Sequence, residues 1–270
     1  MSEELLKPLQ EAGIQCAVAA TDATRTLYRE GNCNAVYPLA SVSKLFTAYS
    51  ALIACERGLL DLDEPAEPEG ATVRHLLSHA AGYSFADATP IGRVGARRGY
   101  SNYGIEVLAA HVEDATGYPI GQWLETSLIA PLGMTDVDTN GSPAAGFSAS
   151  VEDLLLLGRE FLAPTLVSPE LFALATNPVF PGLSGVLPGF GRQKDNAWGL
   201  GFEIKADKSP HWTGSSQGPR TFGHFGQSGS FLWVEPDLGL ACAFLGDKPF
   251  SEAHAALWPT LSDRVVAACR

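Results

Sequence analysis

The sequence predicts an α+β fold: one antiparallel sheet completed by both ends of the chain, flanked by N- and C-terminal helices, with an all-helical lobe inserted between. Three observations lead there. Strand-like runs with turn residues between them occupy residues 14–30 and recur over 196–245. Between them, from about 71 to 162, the apolar spacing is helical. A last helical run closes the chain over 252–268. Strands gathered at the two ends, with helices between, fit a shared sheet better than alternating βα units. A single domain over 1–270 is expected, with a sheet lobe of about 1–60 and 190–270 and a helical lobe of about 61–189.

Taken in order, residues 3–11 read as a short amphipathic helix, and 14–20 and 26–30 as paired strands. Thr21-Asp22-Ala23-Thr24 supplies the turn between them. Residues 43–57 are helical and largely apolar. Thr72, Ser101 or Asn102, and Ser150 are the expected N-caps of the middle helices, and Gly82 and Gly117 the expected stops. Residues 180–195, rich in Gly and Pro, read as loop. Strands are then expected at 196–205, 221–225, 230–234 and 240–245, with Glu235-Pro236-Asp237 turning the last pair into a hairpin.

Composition excludes several functions. Hydrophobic residues make up 46% and charged residues 18%, so the chain is not disordered. A formal net charge of −12, from 18 basic and 30 acidic residues, argues against nucleic acid and against an anionic membrane as partners. The five cysteines are scattered without a C-x-x-C pair, unlike a disulfide framework or a zinc site. Cys16 and Cys242 sit in apolar runs and read as core residues. The first residues lack the apolar stretch of a signal peptide, and no run is long enough to span a bilayer, so a cytoplasmic location is expected. No feature of the sequence specifies an oligomeric state.

Three constellations carry chemistry. In Ser41-Val42-Ser43-Lys44, Lys44 is the only charged residue between Glu30 and Glu56. A lysine in an apolar helix is desolvated, which disfavours its ammonium form. Three residues separate Ser41 from Lys44, so both project from one helical face near a helix N-terminus, where a developing negative charge is favoured. A hydroxyl, an adjacent amine and a positive backbone field are what an activated serine requires. The same residues could equally be an N-cap and a lysine reaching out to water. Tyr100-Ser101-Asn102 is the second constellation. Beside Arg97 and Arg98, the Tyr100 phenolate would be stabilised and could share base and acid duty, while Asn102 offers both a donor and an acceptor. Here too a plain helix start explains the residues. Gly223-His224-Phe225-Gly226-Gln227 is the third. It ends a strand whose glycines permit close approach by a ligand.

In this order the three resemble the class C β-lactamase-like serine hydrolases, which include penicillin-binding DD-peptidases and related carboxylesterases. The pattern S-x-x-K, S-D-N, K-T-G stands here as Ser41-x-x-Lys44, Tyr100-Ser101-Asn102 and His224-Phe225-Gly226. Arg74-His75-Leu76-Leu77-Ser78-His79, Ala130-Pro131-Leu132-Gly133-Met134, Ser150-Val151-Glu152-Asp153 and Trp198-Gly199-Leu200-Gly201 are also similar to that family, so the likeness runs from about 15 to 247. The resemblance implies a β-lactamase/transpeptidase-like fold. It implies Ser41 as acylated nucleophile and Lys44 and Tyr100 as the groups that pass its proton to the leaving group. Asn102, His224, Phe225, Gly226 and Gln227 would contact substrate, with the N–H groups of Ser41 and Gln227 as oxyanion hole. His79 is expected to be a structural hydrogen bonder.

Two departures bear on substrate. The usual lysine and threonine of the third motif are His224 and Phe225, so a carboxylate anchor is weakened unless Arg97 or Arg98 replaces it. The chain is also shorter than typical class C β-lactamases. Both favour ester or amide substrates over a dedicated β-lactamase activity. An acylation-competent, penicillin-binding module with little turnover is the alternative. A second alternative lies in Gly214-Ser215-Ser216-Gln217-Gly218, which matches G-x-S-x-G but has no helix after it, so Ser216 is expected to be a loop serine. No metal motif and no phosphate-cradling loop is present, so no cofactor is implied.

Overall fold

A computed structural model describes residues 4–270. The expected strand pair forms as β1 (Cys16–Thr21) and β2 (Thr26–Glu30). Their turn is held by Asp22, whose carboxylate accepts the N–H groups of Thr24 and Arg25 at 2.7 and 2.8 Å. The other strands of the main sheet are β3 (Glu203–Ile204), β4 (Phe222–Gly226), β5 (Ser230–Glu235) and β6 (Leu240–Gly246). They complete one antiparallel sheet in the order β2-β1-β6-β5-β4-β3. Strands from both ends of the chain meet where β1 pairs with β6, Cys16 opposite Gly246.

Alternation along these strands builds two cores. Ala17, Ala19, Leu232, Val234, Ala241, Ala243 and Leu245 face one way. Cys16, Val18, Ala20, Phe231, Trp233, Leu240, Cys242 and Phe244 face the other. The second face is covered by the terminal helices α1 (Lys7–Glu11) and the closing helix Glu252–Ala268, through Leu9, Trp258, Leu261 and Val265. The expected start of the first helix at residue 3 lies outside the described residues.

On the first face lie α2 (Ser43–Glu56), α3 (Val73–Leu77), α4 (Asn102–Thr116) and α5 (Val151–Leu162). Helix α5 begins in a capping box between Ser150 and Asp153 and packs on β6 and β1. Helix α4 is capped by Ser101, whose hydroxyl accepts the Gly104 N–H, and stops at Gly117 in the left-handed region. Ser101 takes the cap, which leaves the Asn102 side chain available. Helix α2 is buried on all sides from Ser43 to Ala54, the pattern of a helix apolar all round and enclosed by its neighbours. That enclosure is what surrounds Lys44.

The structure corrects four expectations. Residues 78–101 are not helical: α3 ends at Leu77, and His79 takes a positive φ of 54°. Gly82 is not a helix stop but a close approach, since a Cβ there would lie 2.6 Å from the Gly92 carbonyl. Within 180–195 a small hairpin forms from Gly185–Leu187 and Gly191–Gln193. Of the strand expected over 196–205, only Glu203–Ile204 pairs with β4, because the preceding residues serve other groups: the Asn196 and Ala197 carbonyls accept from Arg98 and Lys208.

Candidate active site

Ser41 stands in a single 3₁₀ turn, Ala40–Val42, that runs directly into α2. Ala40, just before it, has a positive φ of 45°, a strained setting for a residue with a side chain. The end of β4 abuts this turn. A Cβ on Gly226 would come within 2.3 Å of the Leu39 carbonyl, so only glycine allows the approach. Ser230 adds a hydroxyl bond to the same carbonyl at 2.8 Å. Gln227, the residue after β4, is thereby set beside Ser41 on the lip of the cleft.

One helical turn on from Ser41, the Lys44 amine donates to Ser41 Oγ at 3.2 Å, Asn102 Oδ1 at 2.5 Å and the Ala144 carbonyl at 2.8 Å. It is 1% exposed. Burial pushes its pKa down to about 7, against a weaker opposing pull from the Glu106 carboxylate. Three elements distant in sequence thus converge on one amine: α2 carries it, α4 contributes Asn102, and the loop before α5 contributes Ala144.

Tyr100 lies just before α4, with its ring centroid 4.9 Å from the Lys44 nitrogen. Burial raises its pKa well above the usual phenol range, and a hydrogen bond with Ser41 only partly offsets this. The expected stabilisation by neighbouring arginines is absent, a correction with a clear cause. Arg98 is 1% exposed and is spent on four backbone carbonyls: Asn196 at 3.1 Å, Ser78 at 2.6 Å, Val179 at 2.7 Å and Phe180 at 3.1 Å. Arg97 is exposed. Neither replaces the missing carboxylate anchor: Arg98 is locked into the scaffold, and Arg97 is not among the residues lining the cleft.

The cleft has a volume of about 330 Å³ and is lined by Ser41, Phe85, Tyr100, Leu187, Pro188, Trp198, Glu203, His224, Phe225 and Gln227. Most of that lining is aromatic or aliphatic. His224 is buried on the wall, while Phe225 also lines the cleft and packs its ring against Phe190, Phe250 and Trp258 at 5.7, 5.2 and 6.0 Å. His79 accepts the Ser101 N–H at 3.3 Å and packs against both the Tyr100 and Trp198 rings, a buried neutral imidazole that supports the tyrosine's position. His75 caps α3 through Thr72, so the two histidines do not share a helical face. Ser216 is exposed in the loop before β4, and its hydroxyl bonds to Asp263 at 2.6 Å, without a histidine or lysine partner.

Several cleft residues escaped the sequence. Phe85 comes from the loop before α4, and Leu187 and Pro188 from the small hairpin within 180–195. Glu203 left a trace, an acid in the otherwise apolar stretch 197–204. It is 2% exposed and sits in a closed network. Lys208 and Trp212 donate to it, the latter at 2.9 Å, and His211 Nε2 lies 3.0 Å away. Burial alone would raise this carboxyl, but Lys208 and His211 outweigh it and hold it below the usual range. Breaking a buried ion pair by removing one partner strands the other charge. Lys208→Met is therefore expected to destabilise the protein by about 3–5 kcal/mol in urea unfolding. The double change with Glu203→Gln should recover part of that, and a single-variant loss under about 1 kcal/mol would contradict the assignment of a buried pair.

Comparison with known proteins gives one consistent answer. The family model described as Beta-lactamase matches residues 3–266. A crystal structure of a beta-lactamase from Mycobacterium bovis superposes with a TM-score of 0.95 at 43% identity, covering 98% of this chain and 99% of that one. Penicillin-binding protein 4* of Bacillus subtilis (strain 168) is 31% identical over 147 residues, 42% of this chain. Monacolin J acid methylbutanoyltransferase of Aspergillus terreus is 30% identical over 173 residues, again 42% of this chain. These matches span only 33% and 42% of the two curated relatives' own lengths.

Proposed function

Because the chain belongs to the Beta-lactamase family, we propose that it is a serine hydrolase working through an acyl-enzyme on Ser41, with esters and amides preferred over β-lactams. The observation that carries this reading is the convergence of Lys44 on Ser41 Oγ at 3.2 Å inside a dry helix, with an amine pKa near 7. Environments that push two groups apart in pKa divide the work between them. Lys44, part neutral at pH 7, is the base; Tyr100, held as the phenol, is the acid.

In the reaction, the neutral Lys44 amine takes the Ser41 proton as Oγ attacks the substrate carbonyl carbon. The carbonyl oxygen, now negative, receives the N–H groups of Ser41 and Gln227. As the bond to the leaving group breaks, its oxygen or nitrogen takes the Tyr100 proton, and the Lys44 ammonium reprotonates the phenolate. Water then attacks the acyl carbon by the same route in reverse roles, freeing the acid and Ser41. Asn102 and the Ala144 carbonyl hold the amine in line throughout.

Substrate preference follows from the wall. The residues that line the cleft offer a large apolar surface, one neutral imidazole and one carboxylate, which favours an uncharged acyl group over the carboxylate of a penicillin or of a D-Ala-D-Ala terminus. A parallel panel of nitrocefin, short- and long-chain p-nitrophenyl esters and D-Ala-D-Ala peptides tests this. Short-chain ester turnover with weak or absent nitrocefin turnover is expected. Efficient nitrocefin hydrolysis without esterase activity would reverse the preference.

A further inference from the structure

The proposed chemistry leaves two buried polar atoms on cleft-lining residues without a partner among the described residues, the indole N–H of Trp198, a donor, and Nε2 of His224. His224 is 4% exposed, with its ring 5.5 Å from that of Trp198 and 5.8 Å from that of Tyr100. Its Nδ1 lies 2.6 Å from the Phe225 carbonyl oxygen. A carbonyl can only accept, so Nδ1 carries the hydrogen and Nε2, at the outer edge of the ring, is left as an acceptor. That Nε2 has no hydrogen-bond partner among the described residues, although it is buried. Native proteins seldom leave a buried polar atom unmet, so one that belongs to a residue lining a cleft is a candidate partner for a ligand's donor. Burial and the nearby Lys44 push the ring's pKa down to about 3, so it stays neutral in any ordinary buffer.

The charges around it point the same way. Among the described residues, those lining the cleft include Glu203 and no lysine or arginine. The cations just behind the lining are committed elsewhere. Lys44 is held by Ser41, Asn102 and the Ala144 carbonyl, Arg98 serves backbone carbonyls, Lys208 is paired with Glu203, and Lys205 donates to the Gly214 and Gln217 carbonyls. A carboxylate placed at His224 Nε2 would meet an acceptor lone pair, while the cations around it are already engaged. A neutral N–H or O–H would meet the acceptor it needs.

We infer that the cleft selects neutral esters or amides that present an N–H or O–H donor to His224 Nε2, and that it discriminates against substrates carrying a carboxylate at that place. The inference rests on Ser41 acylation as proposed above, and it adds the chemical class that the site recognises. Sites built to satisfy a substrate donor reject analogues lacking it more sharply than apolar pockets reject a missing methylene, because the protein's own buried group is then left unpaired.

The test uses three matched p-nitrophenyl esters whose acyl groups differ at one position: a secondary amide N–H, its N-methylated form, and a carboxylate. For the native protein, kcat/KM should favour the N–H ester over the N-methyl ester by about tenfold or more, with the carboxylate ester poorest. His224→Leu should bring the N–H to N-methyl ratio close to one. His224→Lys, which replaces the acceptor by a cation, should raise the carboxylate ester relative to the other two. Ratios within one variant cancel any loss common to all substrates, and the native ratio decides the matter if a variant does not fold. A native ratio near one, or a carboxylate ester that is the best of the three, would overturn the inference. Labelling of the native protein by a fluorophosphonate, run alongside, separates the two readings. No adduct on Ser41 removes the acylation reading itself, whereas an adduct without donor preference removes only this inference.

Discussion

Ser41→Ala is expected to lower ester turnover by about 10³-fold or more, whereas Ser216→Ala leaves it unchanged. The contrast follows from what surrounds the two hydroxyls. Ser41 stands at the opening of α2, with a buried amine 3.2 Å from its oxygen and the strained Ala40 turn presenting it to the cleft. Ser216 is a solvent-exposed loop residue whose hydroxyl is used by Asp263. The Ser41→Ala change removes one oxygen at the cleft wall, so thermal stability should hold and the loss should appear in kcat. Should Ser216→Ala alone abolish turnover, the assignment of the nucleophile is wrong.

Lys44→Met is expected to cost about 10³-fold in kcat/KM, the scale of a lost general base. Methionine matches the length of the lysine stem and suits the dry interior of α2, so the fold should survive the change. The same amine sets the pH dependence. With its pKa held near 7, Lys44 is protonated and inactive as a base in acid, so kcat/KM should climb with pH through about 7 and level off above it. Other groups in the cleft do not confuse this limb. Burial takes His224 down to about 3, and it lifts Tyr100 well above the usual phenol range. Glu106 offers a check on the origin of the limb, because its charge opposes the effect of burial on Lys44. Glu106→Gln should move the rising limb to lower pH. A limb that persists in the Lys44→Met protein would place the titration elsewhere.

How much of this was legible in the sequence differs by element. The strands 230–235 and 240–246 and the closing helix 252–268 form nearly where alternation and helical spacing put them, because each buries apolar residues in the core. The half-buried edge strand 26–30 is placed by its turn and its pairing with β1. The stretch 78–101 misled because its residues are apolar enough for a helix, yet their backbone and side chains are claimed by distant partners. Gly99 donates to the His79 carbonyl at 2.8 Å, Arg98 reaches Ser78 and Val179, and Gly82 presses on Gly92. No local propensity reports such contacts. At the site, the Ser41–Lys44 spacing and the apolar setting of Lys44 were readable, since a helix fixes both. The arginines beside Tyr100 were misread because sequence adjacency does not tell where a long side chain points. Glu203, Leu187 and Phe85 join the cleft only through tertiary folding, and the tautomer of His224 depends on a carbonyl of its own strand that only the structure reveals.

The central claim is that Ser41 becomes acylated and is then released. Intact-protein mass spectrometry, followed over time after mixing with a short-chain p-nitrophenyl ester, tests it most directly. The account predicts one acyl adduct, located on Ser41 by peptide mapping, absent from Ser41→Ala, and decaying as free acid appears. Turnover with no adduct on Ser41 when the reaction is quenched early under burst conditions, or an adduct located on another serine, would contradict it.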